Sequence, residues 1–95
     1  MEVKHKTDGA KGGGYHESEG KILAEMTYSM AGETRMIIDH TEVDESLRGQ
    51  GAGMQLLNAA VKFAREKNVN VLPLCPFAAA MFKKVPEIQD VLKKS

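Results

Sequence analysis

Hydrophobic and polar positions alternate with a period of two from Ala24 to Met30. Ala24, Met26, Tyr28 and Met30 fall on one side, and Glu25, Thr27 and Ser29 on the other. That period predicts a half-buried strand. Ala31-Gly32-Glu33 reads as a tight turn, and residues 34–43, rich in β-branched side chains, as the next strand, so the pair predicts an antiparallel hairpin. From Gly53 the period lengthens. Leu56, Leu57, Ala60, Val61, Phe63 and Ala64 recur at helical spacing, with Lys62, Arg65, Glu66 and Lys67 outside the apolar face. The basic residues suit a helix C-terminus, and Asn68 is the expected C-cap. Residues 69–74 read as a short strand. Strand, helix, strand implies a right-handed crossover, which sets residues 69–74 parallel to residues 34–43. Pro73 is expected to end that pairing or to sit where its missing N–H is not needed. Cys75-Pro76 opens a helix with Phe77, Ala80 and Met81 as its apolar side, and Pro86 stops it. Glu87 to Leu92 reads as a closing helix with Ile88, Val91 and Leu92 inward.

The first 20 residues are polar. Residues 2–6 predict a charged edge strand, a possible seam for a weak homodimer of an otherwise monomeric chain. Gly12-Gly13-Gly14 predicts a flexible turn. No internal repeat or linker divides the 95 residues, so the expectation is one α/β (α+β) domain, residues 1–95. Six methionines and the absence of Trp imply a soft core in which methionine fills space.

Thirteen basic and thirteen acidic residues cancel, which argues against a nucleic-acid or anionic-membrane partner. One cysteine rules out an internal disulfide and suits a reducing compartment. With no apolar signal-peptide core and no transmembrane-length run, a soluble cytoplasmic protein is expected. His5 and His16 make no metal-ligand spacing with Cys75, so no metal site is expected.

Candidate chemistry concentrates in Leu47-Arg48-Gly49-Gln50-Gly51-Ala52-Gly53, between the strand ending in Glu42-Val43 and the long helix. Strand, glycine-rich loop and helix in that order make an anion site. A Rossmann fingerprint needs a small residue where Leu56 stands, and a P-loop needs a Gly-Lys-Ser/Thr tripeptide that the chain lacks. Both nucleotide readings drop out, leaving Arg48-x-x-Gly51-x-Gly53.

That motif, in its strand–helix–strand setting, resembles the pyrophosphate motif of the GNAT superfamily of acetyl-CoA-dependent acyltransferases. More narrowly, His40-Thr41-Glu42-Val43 before it and Leu74-Cys75-Pro76-Phe77 after the next strand look like the blocks of a very small GNAT-like subfamily. The resemblance covers about residues 20–92. It implies two parallel strands that splay apart, in a sheet otherwise mostly antiparallel. It also implies acetyl-CoA or coenzyme A as the cofactor. The backbone of Glu42 and Val43 would meet the pantetheine amides, and backbone N–H groups of Arg48, Gly49, Gln50, Gly51, Ala52 and Gly53 would hold the pyrophosphate. Larger relatives carry one or two helices between the first two strands, where this chain has only the stretch around residues 12–14. Lysines at 83, 84, 93 and 94 read as a solvated face, with a role toward the cofactor's 3′-phosphate left open.

Acetyl transfer to an amine needs a neutral amine, a polarised thioester carbonyl and a proton for the leaving thiolate. An alkylamine titrates near pH 10, so a group or water chain must take its proton. Histidine is the side chain type that changes charge near neutral pH, so His40 is the first candidate base, and Glu42 the second. Cys75 stands near where many GNAT enzymes carry the acid for the CoA sulfur. As a thiolate at a helix start it could instead take the acetyl group itself. The expected activity is N-acetyl transfer to a small-molecule or peptide amine. The alternatives are a non-catalytic CoA- or acyl-CoA-binding module and an acyl carrier through Cys75.

Overall fold

The run that alternates from Ala24 to Met30 forms the central strand of a five-stranded sheet. In this computed structural model, which describes residues 2–92, the strands are β1 (Lys4–Asp8), β2 (Lys11–Ser18), β3 (Lys21–Ala31), β4 (Arg35–Val43) and β5 (Asn70–Pro73), ordered 1-2-3-4-5. The first four pair antiparallel, and β5 lies parallel to β4. A 3-10 turn (Glu45–Leu47) and helix α1 (Ala52–Lys67) join β4 to β5. Helix α2 (Pro76–Lys84) and a 3-10 segment (Pro86–Val91) follow.

One face of the sheet is covered. Ala24, Met26 and Tyr28 of β3, with Met36 and Ile38 of β4, pack against Leu56, Leu57, Val61 and Ala64 of α1. Ala78 and Phe82 of α2, then Ile88 and Val91, close the same core. Arg65 of α1 clamps the last segment, donating to Asp90 at 2.6 and 3.0 Å and to the Glu87 carbonyl at 2.7 Å. Asn68 caps α1 in a left-handed conformation, and β5 ends at Pro73.

Three expectations are corrected. The edge strand is residues 4–8 rather than 2–6, in register with β2, and Val3 packs partly on the core. Gly12, Gly13 and Gly14 are paired strand residues inside β2, and the turn is Gly9-Ala10. Close approach explains those glycines. A Cβ on Gly13 would lie 2.5 Å from the Met26 carbonyl, and one on Gly12 2.6 Å from the Tyr28 hydroxyl. In α2 the inward residues are Ala78 and Phe82, with Phe77 and Met81 half-buried and Ala80 exposed. The closing helix expected from Glu87 is present and is of the 3-10 type. Lys93 and Lys94 lie outside the described residues, while Lys83 and Lys84 are exposed.

His5 ties the edge strand to the core. Its Nε2 lies 2.6 Å from the Tyr28 hydroxyl, and its ring sits 4.5 Å from that of Phe63. Burial lowers its pKa, so the unfolded chain binds a proton first as pH falls. The contribution of His5 to stability is therefore complete above about pH 6.5 and is lost as pH falls through the lower folded value. Urea unfolding midpoints are expected to fall between about pH 7.5 and 5. His5→Phe should flatten that part of the profile.

Candidate functional site

The parallel pair β4–β5 holds together for only four residues. Register runs from Arg35 opposite Asn70 to Ile38 opposite Pro73. The Ile38 carbonyl then accepts from both Leu74 N–H (3.1 Å) and Cys75 N–H (3.2 Å). Beyond that fork, residues 39–43 of β4 have no strand partner on this side, and the two arms diverge. The split follows from Pro76, which starts α2 at once. Pro73 sits where its missing N–H is not needed, because the N–H groups of Asn70 and Leu74 are the ones that donate, to the Thr34 and Ile38 carbonyls.

A cleft of about 340 Å³ opens along the divergent arms. It is lined by Thr41, Val43 and Asp44 on one side, Phe77 on the other, and Arg48 and Gly53 at its end. Val43 and Leu74, two of the three exposed large apolar residues among those described, stand one on each arm. At the end of the cleft α1 begins without a side-chain cap: Gly51 is its N-cap, and no acidic residue lies in its first turn. Its leading N–H groups and positive dipole end are thus left for an external anion. Arg48 is exposed and makes no salt bridge among the described residues. Asp44, which lines the same cleft, is turned to Ser46, whose N–H and hydroxyl donate to it at 3.4 and 3.2 Å.

The glycines of the motif play different parts. Gly49 and Gly51 have φ of 81° and 71°, with open space where a Cβ would stand. Gly53 is a packing glycine. A Cβ there would lie 2.6 Å from the Phe77 ring, so Phe77 seats on the helix only because residue 53 has no side chain. Helix α1 starts one residue before the sequence pattern indicated, at buried Ala52.

A bulge in β4 distributes the chemistry. Thr27 pairs with His40 and Tyr28 with Ile38, so Asp39 has no partner on β3. Directly paired residues share a face. Thr41, opposite buried Met26, is on the helix-covered face; His40, opposite Thr27, and Glu42, opposite Glu25, are on the other. His40 Nε2 lies 3.0 Å from Glu42 Oε1, and both are solvent-exposed. Asp39 accepts a 2.7 Å hydrogen bond from the Ser29 hydroxyl on the same outer face.

Cys75 occupies the inner side of the fork. It is 4% exposed, and its Sγ donates to Thr41 Oγ1 at 3.2 Å, a side-chain link between the arms. Burial pushes its thiol pKa up. Hydrogen bonding to Thr41 and the N–H groups of Ala78 and Phe77 outweighs this and holds the pKa below the usual thiol value. His40 with Glu42 and Cys75 with Thr41 thus flank the split from opposite faces. Thr41, Asp39 and Phe77 were not singled out by sequence patterning. Thr41 and Phe77 acquire meaning only when the fork and α2 are placed, and a one-residue bulge has no composition signature.

The chain matches the profile of the GCN5-related N-acetyl-transferase family over residues 14–91. The chain belongs to that family. The solution structure of a GCN5-like protein from Staphylococcus aureus is similar at 38% identity, with 99% of this chain and 89% of that one covered and a TM-score of 0.76. More distant likeness, in fold alone, extends to a Clostridium acetobutylicum structure with acetyl-CoA (16% identity, TM-score 0.65, 80% of this chain and 56% of that one). It extends also to an aminoglycoside 6′-N-acetyltransferase complexed with coenzyme A (14% identity, TM-score 0.59, 67% of this chain and 37% of that one). The chain is much shorter than either of these. No curated protein sequence matches it. The GNAT fold read from the motif is the observed one, including the parallel pair and the helix that follows β4. No helix among the described residues is long and apolar enough to cross a membrane.

Proposed function

We propose that this GNAT-family chain is an acetyl-CoA-dependent N-acetyltransferase acting on an amine, in a reducing cytoplasmic compartment. The observation that carries the reading is the cleft between β4 and β5, which ends on the uncapped N-terminus of α1. The residues fit the group. An apolar channel past Val43 suits a pantetheine arm, and the N–H groups from Arg48 to Gly53, with no acid in the first turn, suit a pyrophosphate. When bound, acetyl-CoA supplies the activated acetyl thioester.

The chain's own residues then have three tasks. Backbone groups of Glu42 and Val43 orient the donor along β4. On the outer face, His40, held by Glu42 at 3.0 Å, accepts the proton that the amine loses as its nitrogen bonds to the acetyl carbon. On the inner face, the Cys75 thiol, polarised by Thr41, donates a proton to the sulfur as the carbon–sulfur bond breaks. A thiol below its usual pKa is the better acid for this step. Cys75 is regenerated through solvent, and the products are an amide and CoA.

Calorimetry with acetyl-CoA is expected to show binding, and mass spectrometry to show acetylated amine above the hydrolysis background. No heat of binding at millimolar acetyl-CoA would sink the proposal. His40→Ala is expected to lower kcat by about 10²–10⁴-fold, and Glu42→Gln by less. Because the two act as a unit, the double variant should be little worse than His40→Ala.

A further inference from the structure

Away from the cleft, the inner face of β1 frames a second hollow. His5 pairs with Gly14, and Gly14 with buried Met26, so β2 sets no side chain between them on the helix-covered face. Across from them on α1, Ala59 and Ala60 are short and half-buried. What remains is a space of about 330 Å³ bounded by Val3, His5, Gly14, Ala59, Ala60 and Phe63. It shares no residue with the cleft between β4 and β5. Its volume is at the small end for ligand sites, roughly 300–1,000 Å³, which suits one ring system with a short polar tail.

One wall is aromatic and held in place. The Tyr28 hydroxyl, reaching over Gly12, lies 2.6 Å from His5 Nε2. The His5 ring is 4.5 Å from that of Phe63, and Tyr28 stacks on Phe63 at 5.7 Å. Tyr28 is buried, so His5 and Phe63 are the rings that a ligand would meet.

The rim carries both signs of charge. Lys62 and Glu66 stand about one turn apart on α1, both exposed, and neither is in a salt bridge among the described residues. Lys4, the other charged residue on the rim, lies 4.0 Å from Glu17. An apolar ligand would leave Lys62 and Glu66 without partners, an anion would face Glu66, and a cation would face Lys62.

We propose that this hollow binds a free aromatic α-amino acid, its ring against His5 and Phe63, its carboxylate toward Lys62 and its ammonium toward Glu66. An α-amino acid carries both charges on one carbon. Two flexible side chains that start about 6 Å apart along a helix axis close on it from either side. The site stands independently of the acetyltransferase reading.

Titration of the isotope-labelled full chain with L-phenylalanine, followed by amide chemical shifts, tests this. Saturable shifts are expected at Val3, His5 and residues 59–66, with residues 41–53 unmoved. L-Alanine, which lacks the ring, should bind at least about tenfold more weakly, the loss expected when a buried ring is removed. Phenethylamine, without the carboxylate, and hydrocinnamate, without the ammonium, should each bind about two- to fivefold more weakly, the range for exposed ion pairs. Lys62→Glu should weaken L-phenylalanine and tighten phenethylamine, a reversal that altered packing alone would not give. Ala60→Leu, which fills the hollow, should abolish the shifts, with thermal melts of both variants as the check on folding. If Ala60→Leu does not fold, the Lys62→Glu reversal decides. No saturable shift at about 20 mM L-phenylalanine, well above a millimolar Kd, overturns the proposal. Equal binding of L-alanine, no reversal in Lys62→Glu, or shifts centred on residues 41–53 overturns it too.

Discussion

Gly51→Asp is expected to weaken acetyl-CoA binding by about 100-fold, on the order of 2.7 kcal/mol, while leaving the protein folded. Gly51 is the N-cap of α1 at φ 71° and ψ 23°, a left-handed conformation that Asp and Asn tolerate better than other side chains. The strain of adding a Cβ there is about 1–2 kcal/mol. It is partly offset because a carboxylate interacts favourably with a helix N-terminus by about 0.3–1 kcal/mol. Space is not the obstacle, since nothing lies within 4 Å of the added Cβ. What changes is the field. The first turn of α1 holds no acidic residue, and the new charge would sit at the position proposed for the pyrophosphate. Gly51→Asn separates the causes, because it carries the same backbone strain without the charge. It should keep most of the affinity. Calorimetry with acetyl-CoA and thermal melts of the three proteins read both quantities. Equal affinity in Gly51→Asp and wild type would show that the anion is held elsewhere.

Ile38→Ala is expected to cost about 2–5 kcal/mol of stability, a large share of what a domain this size has. Ile38 is fully buried, on the same face as Tyr28 and within the cluster under α1. Removing its side-chain carbons leaves a cavity that a sheet packed on one face only cannot readily fill. At about 4–8 °C per kcal/mol, the melting midpoint should drop by about 8–40 °C. The site should suffer as well, because the Ile38 carbonyl accepts both Leu74 and Cys75 N–H groups where the arms part. Ile38→Val, losing one methylene, should cost only about 0.5–1.5 kcal/mol. If Ile38→Ala melted within a few degrees of wild type, the fork would not depend on core packing at this position.

Much of the fold was legible because one-sided burial writes itself into spacing. The Ala24–Met30 alternation, the six apolar positions from Leu56 to Ala64, and Pro73 before Pro76 each reflect a local constraint that a strand, a helix or a proline imposes on its own residues. The uncapped helix start at the end of the cleft was legible for the same reason, since a helix start after a strand and a glycine-rich loop is a local object. Gly12-Gly13-Gly14 misled because glycine permits a turn anywhere, while here it is required by neighbours distant in sequence. The Met26 carbonyl and the Tyr28 ring leave no room for a Cβ in β2. Gly53 belongs to the same class, its side chain excluded by Phe77, 24 positions further on.

The sequence by itself determined the elements, their order, the parallel crossover and the glycine-rich helix start that ends the cleft. Each depends on residues adjacent in the chain or on chain handedness. Only the tertiary structure decided which face carries which chemistry. A one-residue bulge at Asp39 sends His40 and Glu42 to the outer face and leaves Thr41 beneath, facing Cys75 across the fork. Register is a property of two strands together, and neither strand's sequence records it alone.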